Sequence, residues 1–236
     1  MAIYVINPNA SEAMTHQLEQ ENGGLTVSSE LVFLNCAQSP KSIEGYSDGA
    51  KAAFYVVQLI EDLEARKDTS NPEAYIIACF DDTGLDAARE ITDRPVLGIG
   101  QAAMQGATFL CYQFCIITAM DRSVPILQRN VNSYGYTQQC AGVFAANMPV
   151  LALKEDPEGY RKVLNVARES LIKSQGEALV LGCAGLSHWT ERLSKDLSMP
   201  VLDGVKLAIK FAQVLLDLKL TTSKVNSYRF PEKKSS

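Results

Sequence analysis

Residues 74–79 read AYIIAC and residues 178–183 read ALVLGC. Each stretch is an alanine, three apolar residues, a small residue and a cysteine, so the chain writes one short buried strand twice and ends both copies on a thiol. Working outward, each copy continues through a Gly-Leu pair and an amphipathic segment to a Pro-Val-Leu strand, PVLGIG from Pro95 and PVLDGV from Pro200. Cys79 and Cys183 lie 104 positions apart, and Pro95 and Pro200 lie 105 apart. Matched order and spacing predict a duplication.

The segments around these copies fit the same plan. The first half reads as strand IYVINPN, a helix from Ser11, strand LTVSSELVFL, a helix from about Ser47 to Arg66, strand AYIIACF and a helix from about Leu85. The second half reads as strand FCIITAM, helix PILQRNVNSY, a strand near AGVFAANMPVLAL, a helix from about Pro157 to Ser174, strand ALVLGC and a helix from about Ser187. Apolar runs alternating with longer segments of helical period are the pattern of parallel βαβ units. The expected fold is α/β: two pseudo-symmetric Rossmann-like domains with parallel sheets and an active site in the cleft between them. The expected division places 1–97 plus 206–236 in the first domain and 98–205 in the second.

Ligands of parallel sheets bind beyond the carboxyl ends of the strands. Both cysteines sit at such ends, which predicts Cys79 and Cys183 on opposite walls of one cleft. A thiol ionises near 8.5 in water, lower beside a helix N-terminus, so it serves as acid or base near neutrality. The N–H groups of the helices that follow are expected to favour the thiolate and to bind an oxyanion on a substrate carbonyl. Inverting a stereocentre without a cofactor needs proton removal on one face and delivery on the other, and two facing thiols supply both. Cys36, Cys111, Cys115 and Cys140 read instead as small buried hydrophobes.

Composition narrows the partners. With 22 basic and 27 acidic residues the formal net charge is −5, and no basic cluster precedes the tail's Lys-Lys, which argues against nucleic acid and anionic membranes. No apolar run approaches the roughly 20 residues that span a bilayer, and no basic-then-apolar leader is visible. The expectation is a cytoplasmic protein with a small-molecule substrate. Six cysteines in that setting predict reduced thiols, and the absence of CxxC with only two histidines predicts no metal.

INPNASEAMT, SIEG from Ser42, ACFDDTGLDAARE, IITAMDRSVPIL, YGYTQQCA, LGCAGL and the final SYRFPEKK, in this order, resemble the aspartate/glutamate/hydantoin racemase superfamily, most of all its hydantoin and allantoin racemase branch. The likeness covers nearly the whole chain. It implies two α/β domains, no cofactor, a homo-oligomer, and 1,1-proton transfer by the cysteines matching Cys79 and Cys183. It further implies substrate contacts from Asn9, Ile43, Phe80, Thr118, Ala184 and Gly185, although Asn9 also suits a helix cap and Thr118 a bond to neighbouring backbone. Allantoin and 5-alkyl or 5-aryl hydantoins are the implied substrates, free aspartate or glutamate the alternative. Where the branch usually has Cys-Phe-Gly-Asp-Pro-Gly, this chain has Cys-Phe-Asp-Asp-Thr-Gly from Cys79 to Gly84, so Asp81 and Thr83 replace a glycine and a proline. Arg122 is the one cation near these motifs, and a neutral ring fits them better than a zwitterion.

Three other readings compete. PVLGIGQAA followed by FCIITAMD has the GxGxxA and the later acid, Asp121, of a dinucleotide site, but the second copy lacks paired glycines. His188, five positions after Cys183, fits a thiol hydrolase. Two lobes around a cleft also suit a solute-binding protein, which has no need of a thiol on each wall. The tail around Tyr228 and Phe230 is expected to dock on the first domain or on a neighbour, with its last few residues mobile.

Overall fold

The strands of this chain alternate side chains between two buried faces, and both faces are apolar, which commits them to parallel sheets covered on either side. The computed structural model describes residues 2–66, 72–148 and 158–232. The first half holds β1 (Ala2–Asn7), α1 (Glu12–Asn22), β2 (Glu30–Asn35), α2 (Tyr46–Ala65), β3 (Pro72–Ile77), α3 (Leu85–Ile91), β4 (Val96–Gly98) and α4 (Ile99–Thr108). The second half repeats the order with β5 (Phe114–Thr118), α5 (Val124–Ser133), β6 (Cys140–Ala145), α6 (Gly159–Ser174), β7 (Ala178–Leu181), α7 (Thr190–Leu197), β8 (Val201–Leu202) and α8 (Gly204–Asp217). Two four-stranded parallel sheets result, ordered β2-β1-β3-β4 and β6-β5-β7-β8. The two-fold α/β architecture expected from the repeat is the one observed.

Alternation along the central strands sorts the core into three layers. Ile3, Val5, Ala74 and Ile76 of the first sheet and Phe114, Ile116, Ala178 and Val180 of the second point into one shared inner core. Their neighbours face outward: Tyr4, Ile6, Tyr75 and Ile77 pack with Val56, Ile60 and Leu63 of α2, and Cys115, Ile117, Leu179 and Leu181 pack with Val163, Ala167 and Leu171 of α6. The apolar positions of α2, three or four apart, form the single stripe that such a layer needs. Each fully buried Ile or Leu contributes roughly 2 kcal/mol.

Helices α4 and α8 fill the inner core. They cross over between halves: α4, which follows the first sheet, packs on β7 and β8, whereas α8, which follows the second, packs on β3 and β4.

The differences from the sequence reading are local. Pairing in β2 begins at Glu30 opposite Ala2, so Leu25 and Val27 of the expected LTVSSELVFL strand lack a partner strand and pack against the core from the loop. After Cys183 the chain first winds a 3-10 helix, Ala184–Trp189, and α7 starts at Thr190 rather than Ser187. The expected strand beyond Met148, the helix start at Pro157 and the mobile last residues lie outside the described residues in whole or part. The tail docks on α3 and the turn after it: Thr222 donates to the Asp93 carbonyl (2.7 Å), Lys224 to the carbonyls of Arg89 (2.7 Å) and Glu90 (3.1 Å), and Tyr228 to Asp86 (2.8 Å). Among the described residues, no helix is long and apolar enough to cross a membrane.

Candidate active site

The carboxyl ends of the four central strands converge. Asn9 lies two residues beyond β1, Cys79 two beyond β3, Thr118 ends β5, and Cys183 lies two beyond β7. All four line one cavity of about 50 Å³, together with Ile43, Phe80 and Ala184. The backbone on either side of the two cysteines is bonded alike. Ala78 N–H donates to the Ile6 carbonyl (2.8 Å) and Gly182 N–H to the Ile117 carbonyl (2.7 Å), which fixes the residue before each cysteine. Each cysteine carbonyl then accepts from the residue three along, Asp82 (2.9 Å) and Leu186 (3.0 Å), turning the chain away and leaving the sulfur at the mouth of the turn.

Most of the expected contact residues come together. Asn9 serves two purposes, because its Oδ1 accepts from Ser11 N–H (2.8 Å) and Asn7 Nδ2 (3.0 Å) while its Nδ2 reaches the Met14 sulfur (3.5 Å) beside the cavity. The helix cap itself is Ser11. Gly185 is not in the cavity wall; its N–H instead favours the Cys183 thiolate. Met14, Ser123 and Asp81 also line the cavity. Met14 and Ser123 belong to a helix and a 3-10 turn and carry no signal in the sequence, whereas Asp81 is marked by its departure from the family pattern.

Electrostatics reverse one expectation. Burial dominates and holds the Cys79 thiol above the ordinary range, reinforced by the Asp81 charge and by Cys183, while the Asp81 N–H and the Thr83 hydroxyl act in the opposite sense. Burial likewise pushes Cys183 up to about 11, opposed by the Gly185 N–H and assisted by Asp81. Local N–H groups therefore favour the thiolates but do not outweigh desolvation. The other cysteines are structural: Cys36 is buried and raised to about 12, Cys115 bonds Ser174 (2.8 Å), Cys111 the Ala107 carbonyl (3.3 Å) and Cys140 the Gly142 carbonyl (3.6 Å). All six are free thiols.

The loop after Cys79 is tied to the fold by Asp82. Its carboxylate accepts from the N–H groups of Gly100 (2.8 Å) and Gln101 (2.7 Å) at the start of α4 and from the Tyr134 hydroxyl (2.8 Å). These glycines are the GxG of PVLGIG. A Cβ on Gly98 would lie 2.2 Å from Asp82 Oδ1, and one on Gly100 would lie 2.4 Å from the Phe80 carbonyl. The glycine pair admits the cysteine loop, and the helix N-terminus that a pyrophosphate would need is already occupied by a carboxylate. In the second half the same tie is made with the partners exchanged: Asp203 caps α8 through Val205 N–H (2.9 Å) and accepts from Ser187 (3.2 Å) of the loop after Cys183. Ser187 stands 105 positions after Asp82, and Asp203 stands 105 after Gly98. Gly84, at φ +78° with Ala53 Cα 3.2 Å from where its Cβ would stand, lets the loop enter α3 against α2.

The competing sites are not assembled. His188 is absent from the cavity wall and stacks on Trp189 with centroids 4.4 Å apart. Arg122 lies over Gly45, where an added Cβ would meet its Nη2 at 3.3 Å. No cluster of three metal-binding side chains occurs among the described residues.

A doubled parallel α/β scaffold with matched loops around one cavity, compared with known proteins, defines the class: the chain is a racemase, an enzyme of the isomerase type. It belongs to the Asp/Glu/Hydantoin racemase family, whose profile matches residues 3–212. It is 42% identical to a hydantoin racemase of Rhizobium meliloti over 100% of this chain and 97% of that one. Against a hydantoin racemase of Paenarthrobacter aurescens it is 37% identical over 99% of both chains. The structure of allantoin racemase from Klebsiella pneumoniae superposes with a TM-score of 0.93 at 36% identity, covering 100% of this chain and 96% of that one.

Proposed function

We propose that this enzyme racemises 5-substituted hydantoins or allantoin, without a cofactor, by 1,1-proton transfer between Cys79 and Cys183. The observation that carries the reading is the placement of both sulfurs, presented by equivalent turns, in the wall of one small cavity. The reacting carbon sits between a ring carbonyl and a ring nitrogen. One cysteine, as thiolate, removes its proton; the carbanion's charge spreads onto the carbonyl oxygen; the other cysteine, as thiol, delivers a proton to the opposite face. The reverse direction exchanges the two roles, which suits equivalent groups from a duplicated chain. Among the described residues the cavity wall holds no Lys or Arg to pair a carboxylate, which supports a neutral ring over aspartate or glutamate.

The test is proton exchange in D₂O followed by NMR, using single enantiomers of allantoin, several 5-alkyl and 5-aryl hydantoins, aspartate and glutamate. Loss of the C5–H signal together with loss of optical rotation, with no change of mass beyond the one deuterium gained at C5, is the expected result for the ring substrates. Exchange of the free amino acids alone would overturn the reading.

The raised thiols give a pH prediction. Because both are held protonated at neutrality, the thiolate fraction in the free enzyme grows about tenfold per pH unit below the lower thiol pKa. The value of kcat/KM is expected to climb with that slope from about pH 6 to about pH 8, and a flat profile would contradict thiolate chemistry.

The packing of α8 on β3 and β4 and of α4 on β7 and β8 supports the division into 1–97 with 206–236 and 98–205. An exposed apolar groove of about 540 Å³ beside Phe109, Phe211, Val214 and Leu220 supports a homo-oligomer.

A further inference from the structure

Asp81 stands where two cavities meet. It lines the thiol cavity of about 50 Å³ and also an adjoining polar cleft of about 490 Å³. The first is far smaller than the roughly 300 Å³ at which ligand pockets begin, so a substituent on the reacting carbon has to leave it. The backbone at this junction is fixed: Asn130 Nδ2 donates to the Asp81 carbonyl (2.9 Å), and the next residue is held by the three bonds to its carboxylate. Yet no hydrogen bond or ion pair engages the Asp81 carboxyl itself among the described residues.

The other charged groups of the cleft are occupied. Asp82 is saturated by Gly100, Gln101 and Tyr134. Asp86 accepts from Tyr228 (2.8 Å) and lies 3.7 Å from Arg89. Arg129 lies over the Tyr46 ring, 5.5 Å from its centroid, and is the one cation that lowers the Asp81 pKa. Burial outweighs it and raises Asp81 to about 6, so at neutral pH the carboxylate is ionised but poorly solvated. A ligand that donates N–H to it replaces the missing solvation, and an anionic ligand worsens the deficit.

We propose that Asp81 is a specificity-determining residue, whose carboxylate selects hydantoins carrying N–H donors or a positive charge on the 5-substituent and rejects those carrying an anion. The ureido group, with N–H donors matched to a carboxylate, and an aminoalkyl chain are the favoured classes; the substituent runs past Asp81 into the polar cleft. This inference rests on the hydantoin reading given above.

The experiment compares wild type with Asp81→Asn, an isostere, and with Asp81→Gly, a second variant for the case that the first does not fold. C5–H exchange is measured as kcat/KM for 5-isopropyl-, 5-ureido-, 5-(4-aminobutyl)- and 5-carboxymethylhydantoin, each expressed as variant over wild type so that intrinsic C5–H acidity cancels. Relative to the isopropyl reference, the ureido and aminobutyl substrates are expected to fall about tenfold or more and the carboxymethyl substrate to rise about tenfold, the scale of one charge-assisted hydrogen bond. An equal factor for all four substrates would mean that Asp81 acts only through the thiols, and would overturn the inference while leaving the racemase reading intact. Failure of wild type to exchange any of the four substrates would overturn both.

Discussion

Cys79→Ser and Cys183→Ser are each expected to lower racemisation by about 10²- to 10⁴-fold, the range that a positioned acid or base contributes. A serine hydroxyl reaches the same place but ionises far above a thiol, so the variant loses the base on one wall and keeps a weak acid there. The two variants are expected to fail asymmetrically. With each, exchange from one enantiomer is expected to fall more than from the other, because the proposed mechanism assigns one sulfur to each side of the ring. The fold is expected to persist, since serine is close to cysteine in size and the hydrogen bonds that favour the two thiolates come from adjacent loop groups, the Asp81 N–H and Thr83 hydroxyl for Cys79 and the Gly185 N–H for Cys183. The check is C5–H exchange from each enantiomer beside a thermal melt. A serine variant with wild-type rates in both directions would remove that cysteine from the reaction.

Asp82→Ala is expected to cost about 3 kcal/mol, because it strips acceptors at once from the buried Gly100 N–H, the partly buried Gln101 N–H and a tyrosine hydroxyl. For a chain of this length that lowers the melting temperature by roughly 9 °C. Asp82 also sits at φ +52°, which asparagine tolerates better than alanine. Asp82→Asn, retaining one acceptor oxygen, is expected to cost about 1 kcal/mol. Activity falls further than stability in the alanine variant, since the loop carrying Cys79 loses its tether to α4. Its pH dependence supplies a second readout. Burial lifts Asp82 from 3.8 to about 7, so the native state binds this proton more tightly than the unfolded chain does, and the group's contribution to stability falls as pH rises through that window. Asp82→Ala removes that part of the slope, read by melts between about pH 4 and pH 7; an unchanged melt would show that the tether does not hold the loop.

The thiol pair was legible because a strand repeated 104 residues later can be compared with itself, and a small residue before each cysteine marks where the strand ends. The GxG in PVLGIG stood out in the sequence only as part of a dinucleotide motif, whereas what approaches it is a carboxylate. Its partner, Asp82, comes from a loop sixteen positions upstream of Gly98, and spacing carries no trace of such a contact. The same holds for Met14 and Ser123, which reach the cavity from a helix and a tight turn whose periodicity reports only their own local winding. The direction of the thiol shifts was also out of reach, because nearby N–H groups can be inferred from a helix start but burial depends on every element that closes the cavity.

The exchange of α4 and α8 has a consequence for synthesis. The inner face of the first sheet is covered by a helix that ends at Asp217, so nearly the whole polypeptide has to leave the ribosome before the half made first can finish folding. Until then Ile3, Val5, Ala74 and Ile76 present a greasy strip to the cell. Nascent chains stalled ahead of α8 are therefore the ones that chaperones should hold.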